Sequence, residues 1–159
     1  MKKRDGFAPS LFFPIFANGN NKKQDMEKKD PIAEARRYVA NAKTILKEKA
    51  IKDGNYYTDS KYVKMAGHTL WTGCLLALDY ALEIKIKKGQ RRDIDDYKIA
   101  AAKRNRKLLT MLIAGYNTMH LYMSYDGDKS YGVSKSGVDT ANDIIDWCEA
   151  NARKTLSGT

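Results

Sequence analysis

The segment 59–88 constrains the fold most, because its apolar residues cover most of the circumference of a helix. One face has apolar residues at helical spacing: Val63, Ala66, Leu70, Cys74, Ala77, Ala81 and Ile84. The opposite face carries His68, Thr72 and Asp79, with Leu75 and Leu76 beside them. A helix that is apolar on nearly all sides belongs in the interior of a domain. The segment predicts a central helix, or one whose second face meets a second copy of the chain in a homodimer.

The flanking residues predict where this helix begins and ends. Asp59 is a favourable N-cap, and Gly89 is a favourable stop directly after Lys88. Gly67 and Gly73 lie inside the helix, and each lowers helix propensity by about 1 kcal/mol. We expect the close approach of neighbouring helices to compensate for these two glycines.

Three further stretches carry apolar residues at steps of three and four, which predicts amphipathic helices. The first begins at Asp30-Pro31, an N-cap followed by a residue preorganised for the first turn, and ends at the turn residues 53–55. The stretch 93–125 contains the polar run 103–107, which predicts a short helix, a break and a longer helix.

The last helix is predicted over 136–154, and no alternation of apolar and polar residues is long enough to predict a sheet. The predicted fold class is therefore all-α, an up-down bundle of four main helices plus one short helix. A chain of 159 residues fits one such domain.

The domain is predicted to span 30–154, between an N-terminal tail over 1–29 and a C-terminal tail over 155–159. Met26 lies just ahead of the first helix and is a candidate for the natural start. A secretory signal is the alternative for the basic and apolar N-terminus, but its apolar run is short and contains two prolines.

Cys74 and Cys148 lie within helical patterns, which favours two buried free thiols in a reducing compartment over a disulfide. No stretch is long and apolar enough for a membrane span. The predicted location is therefore cytoplasmic, without a membrane partner.

The formal charge of +10 is segregated along the chain. The span 85–107 holds ten bases and three acids, a net charge of +7, whereas 126–149 holds six acids and two bases, a net charge of −4. A basic cluster can bind the phosphates of a nucleic acid or nucleotide. It can also be a solvated face or pair with the acidic last helix. The candidate binding residues are Arg91, Arg92, Lys103, Arg104, Arg106 and Lys107.

The segment 116–128 is the most unusual chemically, because it combines one imidazole with several phenols and acidic loop residues. Tyr116 and His120 are one helical turn apart, and Asp126 follows. These three residues are the candidate catalytic groups, at the rim of a pocket. The alternative is that the tyrosines pack between helices and the imidazole is structural. No metal site or cofactor is predicted, since two isolated histidines and an incomplete calcium loop do not form one.

Three runs, 30–38, 61–69 and 120–127, resemble an uncharacterised family of small bacterial helical domains of unknown function. The predicted helix plan, with its basic and broken third stretch, is also similar to HEPN-type bundles. HEPN-type bundles include ribonuclease toxins and partners of small nucleotidyltransferases, so the resemblance implies one of these two functions.

Active HEPN ribonucleases carry an Arg followed four to six residues later by a His, which acts in RNA cleavage. In this chain the positions from seven to four residues before His120 hold Ile113, Ala114, Gly115 and Tyr116, and none of them is Arg. The leading hypothesis is therefore a non-catalytic binding or interaction module. The alternatives are a HEPN-like nuclease that uses the region of His120 and Asp126, and a structural module that self-associates.

Overall fold

The computed structural model describes residues 30–157, with side chains to residue 152. The tail predicted over 1–29, with its start at Met26, lies outside these residues. The described part contains five α-helices, which confirms the all-α prediction: α1 Pro31–Ile45, α2 Ser60–Ala81, α3 Ile94–Arg104, α4 Arg106–Gly115 and α5 Tyr131–Ser157. Two π-helical segments extend helices, Leu46–Ala50 after α1 and Tyr116–Tyr125 after α4.

The helix α2 is central, as predicted, and packs against α1, α5 and the π segment Tyr116–Tyr125. Its two glycines allow these close contacts, which confirms the predicted compensation. A Cβ at Gly73 would lie 2.8 Å from the Cβ of Tyr38 on α1. A Cβ at Gly67 would lie 2.7 Å from the backbone nitrogen of Ser124 on the π segment.

The helix α2 runs antiparallel to α1 and to the π segment Tyr116–Tyr125. Gly73, late in α2, lies against Ala35, early in α1. The rings of Trp71 and Tyr116 are in edge contact at 5.9 Å, whereas the earlier Gly67 lies near the later Met123. The core between these helices is continuous and includes Leu70, Leu78, Leu108, Leu112, Ile144 and Ile145.

The predicted end of α2 at Lys88 is wrong, because the helix stops at Ala81. Glu83 takes the left-handed φ of 54° that the prediction assigned to Gly89. The backbone nitrogen of Ile84 then donates to the carbonyl of Asp79 at 3.0 Å, which is the helix-ending Schellman pattern. Arg104 also donates to the carbonyl of Ala81 at 3.3 Å.

The break predicted within 103–107 is confirmed at Asn105. Its backbone is extended, and its side-chain oxygen accepts from the backbone nitrogen of Leu108 at 3.1 Å, so it caps α4. Asp59 caps α2 in the same way by accepting from Lys61. The polar run therefore spans the boundary between α3, which ends at Arg104, and α4, which begins at Arg106.

The start predicted for the last helix at Ser136 is wrong, because α5 begins at Tyr131 and continues to Ser157. A small antiparallel hairpin, β1 Lys52–Asp53 and β2 Tyr56–Tyr57, fixes this earlier start, and the sequence analysis did not predict it. The backbone nitrogen of Tyr131 donates to the carbonyl of Asn55 at 2.9 Å, and that of Tyr57 donates to Lys129 at 2.8 Å.

The two cysteines are buried and free, as predicted. Burial raises the pKa of the Cys148 thiol to about 12 and also raises the pKa of Cys74. Both thiols therefore stay protonated and unreactive in the folded protein. None of the described helices has the length and apolar character that a membrane span requires.

Candidate functional site

The polar face of α2 forms one wall of an open cleft of about 810 Å³, here called the central cleft. The segment that leads into α3 forms the opposite wall, and the start of the π segment Tyr116–Tyr125 closes one end. The lining residues are His68, Trp71, Thr72, Leu75, Gln90, Arg91, Arg92, Asp93, Ile94, Asp96, Tyr97, Tyr116 and His120.

Three rings form a continuous aromatic surface at one end of the central cleft. The rings of Tyr116 and His120 lie 5.1 Å apart between centroids, as their spacing of one helical turn predicts. Trp71 lies 5.9 Å from Tyr116 and 6.2 Å from His120. Tyr116 and His120 are half-buried and both line the cleft, and Lys98 Nζ lies 5.9 Å from the centroid of the Tyr116 ring.

The environment of His120 favours its neutral form. Burial is the main cause that lowers the pKa of this imidazole, and the nearby His68 lowers it further. Its Nδ1 atom is buried and has no hydrogen-bond partner among the described residues. A proton on that atom would therefore gain no acceptor from the protein.

We expect the protein to lose stability as the pH falls below about 6.5, the ordinary pKa of histidine, and His120→Gln to reduce that loss. The folded-state pKa of His120 is depressed, so the unfolded state binds more protons in this pH window and is favoured there. Urea unfolding at pH 7.5 and pH 5 measures the effect. A midpoint at or above 6.5 for His120 in an NMR titration would contradict it.

A buried tyrosine and an ion pair fix the opposite wall of the central cleft. The Arg92 guanidinium contacts Asp79 Oδ2 at 2.6 Å, and the same Nη1 atom donates to the Tyr97 hydroxyl at 2.8 Å. The Tyr97 hydroxyl donates to Asp79 Oδ1 at 2.5 Å. Burial and this carboxylate raise the pKa of Tyr97, so the phenol remains a donor. The three groups hold the segment before α3 against α2.

The structure divides the candidate basic residues between different places. Arg91 and Arg92 line the central cleft, whereas Lys103, Arg106 and Lys107 are exposed away from it. Arg104 is used in packing, because it donates to the carbonyl of Ala81 and lies 5.9 Å from the Trp147 ring.

The acidic last helix has a different partner from the one suggested by the charge segregation. Asp146 and Glu149 pair with Arg36 of α1, at 2.9 Å and 3.3 Å. Where the basic span 85–107 forms ion pairs among the described residues, its partners are Asp79 and Asp95. Pairing of the basic span with the last helix, one of the alternatives for that span, is not among these ion pairs of the described residues.

Of the three candidate catalytic residues, Tyr116 and His120 line the central cleft and Asp126 does not. Asp126 is exposed at the end of the π segment, where its backbone nitrogen donates to Leu121 at 2.8 Å. Within residues 30–157, no three His, Cys, Asp or Glu side chains group as metal ligands.

Sequence reasoning did not assign His68, Thr72 and Leu75 to a site, although their shared helical face was evident. An interface with a second subunit was one of two alternatives for that face and stays a prediction. The structure shows that these three residues line the central cleft. A polar stripe on an otherwise apolar central helix is the signal that could have identified this wall. The contribution of Gln90 and Asp96 depends on where α2 ends, which the sequence analysis placed too late.

A family model described as a domain of unknown function (DUF5618) matches residues 30–150. The chain belongs to the DUF5618 family. This confirms that the chain is a member of an uncharacterised family, as the three sequence runs indicated. No curated protein matches the chain.

A solved structure supports the DUF5618 fold. It is a protein of unknown function from Dyadobacter fermentans, with 44% sequence identity and a TM-score of 0.71. The match covers 76% of this chain and 94% of that one. This DUF5618 protein therefore shares its helical fold with a relative whose function is likewise unknown.

Proposed function

We propose that this DUF5618 protein is a non-catalytic binding module whose central cleft takes a nucleotide. The proposal rests on one observation: an aromatic surface and two arginines of the basic span, which are separate in sequence, line the same cleft. The aromatic surface of Tyr116 and His120 faces the space that Arg91 and Arg92 also line. An aromatic surface can stack against the base of a nucleotide, and guanidinium groups can bind its phosphate.

The two arginines offer complementary properties for a phosphate. Arg92 is held in one orientation because Asp79 and Tyr97 both engage its Nη1 atom, which leaves the rest of its guanidinium for a ligand. Arg91 is exposed at the rim and makes no ion pair with a described residue. A preorganised arginine and an unpaired one suit a phosphate that enters from solvent.

The acidic residues of the cleft limit what it can bind. Asp93 and Asp96 offset the formal charge of the two arginines, and Asp93 uses its carboxylate to cap α3 at the nitrogen of Asp95. The two arginines can contact a single phosphate group, but with these acids beside them they form no continuous positive surface for a long polyanion. Asp96 and Gln90 can instead accept hydrogen bonds from the amino groups of a base. These features favour a small nucleotide over a nucleic-acid strand.

We expect Arg91→Ala to weaken the binding of AMP or GMP at least tenfold, because a charge-assisted hydrogen bond contributes about 1.5–3 kcal/mol. Isothermal titration calorimetry of the full chain measures the effect. Arg106→Ala is the matched control, since Arg106 is an exposed arginine of the same basic span but lies outside the central cleft.

Equal loss of affinity in the two variants would overturn the proposal, because it would assign binding to the overall charge of the basic span. The absence of binding by the unaltered protein to every common nucleoside monophosphate would also overturn it. Tight, salt-sensitive binding of RNA that Arg106→Ala weakens would favour the nucleic-acid alternative.

The HEPN-like plan is part of the same proposal, and the antiparallel arrangement of the helices supports it. The nuclease alternative has less support. No Arg precedes His120 at the required interval, and Asp126 does not line the central cleft. Self-association through the second face of α2 also has less support, because the polar stripe of that face lines the cleft.

A further inference from the structure

A second concave site lies on another part of the molecule and has a different chemical character. It is a pocket of about 560 Å³ between the end of α1, the hairpin and the first turns of α5. We call it the lysine pocket, because Lys43, Lys47, Lys52 and Lys135 all line it. Its volume falls within the range of pockets that bind small organic ligands.

The lysine pocket has a strongly positive net charge. Asp139 is its only acidic lining residue, and it pairs with Lys135 at 2.7 Å. Lys43, Lys47 and Lys52 form no ion pair with a described residue. The four lysines and the single aspartate leave a net charge of +3, whereas the acids of the central cleft offset its arginines. An anion is therefore the favoured occupant.

A buried hydroxyl in this pocket has no protein partner. Ser134 has no exposed surface, and its Oγ makes no hydrogen bond within the part of the chain that the structure describes. Burial of a hydroxyl without a partner costs about 1–3 kcal/mol, so most buried hydroxyls are bonded. Because Ser134 lines the lysine pocket, the oxygen of a bound anion would supply the missing acceptor.

The rim of the pocket carries an exposed apolar side chain on a strained backbone. Ile51 has a φ of 56° and a side chain that is 52% exposed. A β-branched residue rarely adopts this conformation, and strain of this kind is frequent at ligand sites. Leu46 and Val138 extend the apolar lining inward from Ile51. A purely ionic ligand would leave this apolar surface uncovered.

We propose that the lysine pocket binds an organic anion, a carboxylate or phosphate group carried on an apolar body. The anionic group lies among Lys43, Lys47 and Lys52, close to Ser134, and the apolar body covers Ile51 and Val138. This site is separate from the central cleft, so the proposal does not rest on nucleotide binding.

The experiment compares three probes on the full chain by NMR chemical-shift titration: decanoate, phenyl phosphate and inorganic phosphate. Decanoate represents a lipid source of the anion, and phenyl phosphate represents a soluble aromatic source. We expect saturable binding of at least one of these two, with shifts at Ser134 and Val138. Inorganic phosphate should bind at least tenfold more weakly, because it has no apolar body to cover the rim.

The variant Lys43→Ala/Lys47→Ala should weaken the preferred probe at least tenfold. Lys49→Ala is the control, since it removes an exposed lysine of the π-helical segment that holds Lys47, and Lys49 does not line the pocket. Ser134→Ala should weaken the same probe without destabilising the free protein, because it removes a hydroxyl that has no partner. A hydroxyl with a purely structural role would instead leave ligand affinity unchanged.

The proposal is wrong if neither organic probe saturates, or if the double variant binds as well as the control. Equal affinity for inorganic phosphate would also overturn it, because the apolar rim would then contribute nothing. Arg91→Ala should leave binding to the lysine pocket intact, so failure of this proposal is distinguishable from failure of the nucleotide proposal.

Discussion

Replacing Gly67 by Ala should lower the free energy of unfolding by about 2 kcal/mol, in the range typical of an overpacked core. The added Cβ would lie 2.5 Å from the Cβ of Met123, 2.7 Å from the backbone nitrogen of Ser124 and 2.8 Å from the carbonyl oxygen of Met119. Two of these atoms belong to the backbone of the π segment, so a change of rotamer cannot relieve the clash. Urea unfolding of the two proteins measures the difference.

The control is the same substitution at Gly132, which is exposed in the first turn of α5. A Cβ there would meet its nearest atom, the Ser130 Oγ, at an ordinary 3.6 Å. Gly132→Ala should therefore raise stability by about 0.5–1 kcal/mol through helix propensity and unfolded-state entropy. A gain at Gly67 similar to the gain at Gly132 would show that the contact between α2 and the π segment is loose.

The central position of α2 and the role of its glycines could be predicted from the sequence, because both follow from local rules. Helical periodicity places apolar residues on nearly every side, and a glycine inside such a helix requires a compensating contact. The caps at Asp59 and Asn105 depend on similarly short-range chemistry. The fold class could therefore be predicted from local sequence patterns, without knowledge of contacts between distant residues.

The end of α2 could not be predicted, because it depends on contacts between distant residues. Glycine is the usual residue at a left-handed helix stop, so Gly89 was the reasonable choice. The chain uses Glu83 instead, where Arg104 from α3 donates to the carbonyl of Ala81. The start of α5 was missed for the same reason, since Tyr131 is fixed by a hydrogen bond to Asn55.

The candidate sites were only partly accessible from the sequence. The spacing of Tyr116 and His120 predicted their contact, and charge counting identified Arg91 and Arg92. That these pairs line one cleft follows from the early end of α2, which frees the chain before Asp93 to fold back. The lysine pocket was not predicted, because Lys135 and the other lining residues from α5 are far in sequence from Lys43, Lys47 and Lys52.

Replacing Asp79 by Ala should lower the free energy of unfolding by about 2–3 kcal/mol, more than the replacement of Gly67 by Ala. The Asp79 side chain is 19% exposed, and its carboxylate pairs with the Arg92 guanidinium and accepts a hydrogen bond from the Tyr97 hydroxyl. Its removal leaves a half-buried cation and a buried phenol without their acceptor. The loss stays below that of a fully buried pair because the Arg92 side chain is 39% exposed.

Asp79→Asn separates the two parts of this effect, because an amide oxygen can still accept from Tyr97 while the ion pair with Arg92 is lost. We expect Asn to cost less than Ala. Tyr97→Phe should cost about 1.5 kcal/mol or more, because its hydroxyl makes hydrogen bonds with two charged groups, Asp79 and Arg92. A double-mutant cycle between Asp79→Ala and Arg92→Ala should give a coupling energy above about 0.5 kcal/mol. Additive losses would mean that the pair does not hold the segment before α3 against α2.

Amide exchange at residues 87–92 should accelerate in Asp79→Ala. Among the described residues, the side-chain hydrogen bonds that attach the segment before α3 to α2 are those that join Asp79, Arg92 and Tyr97. Their loss should therefore make local opening of this segment easier.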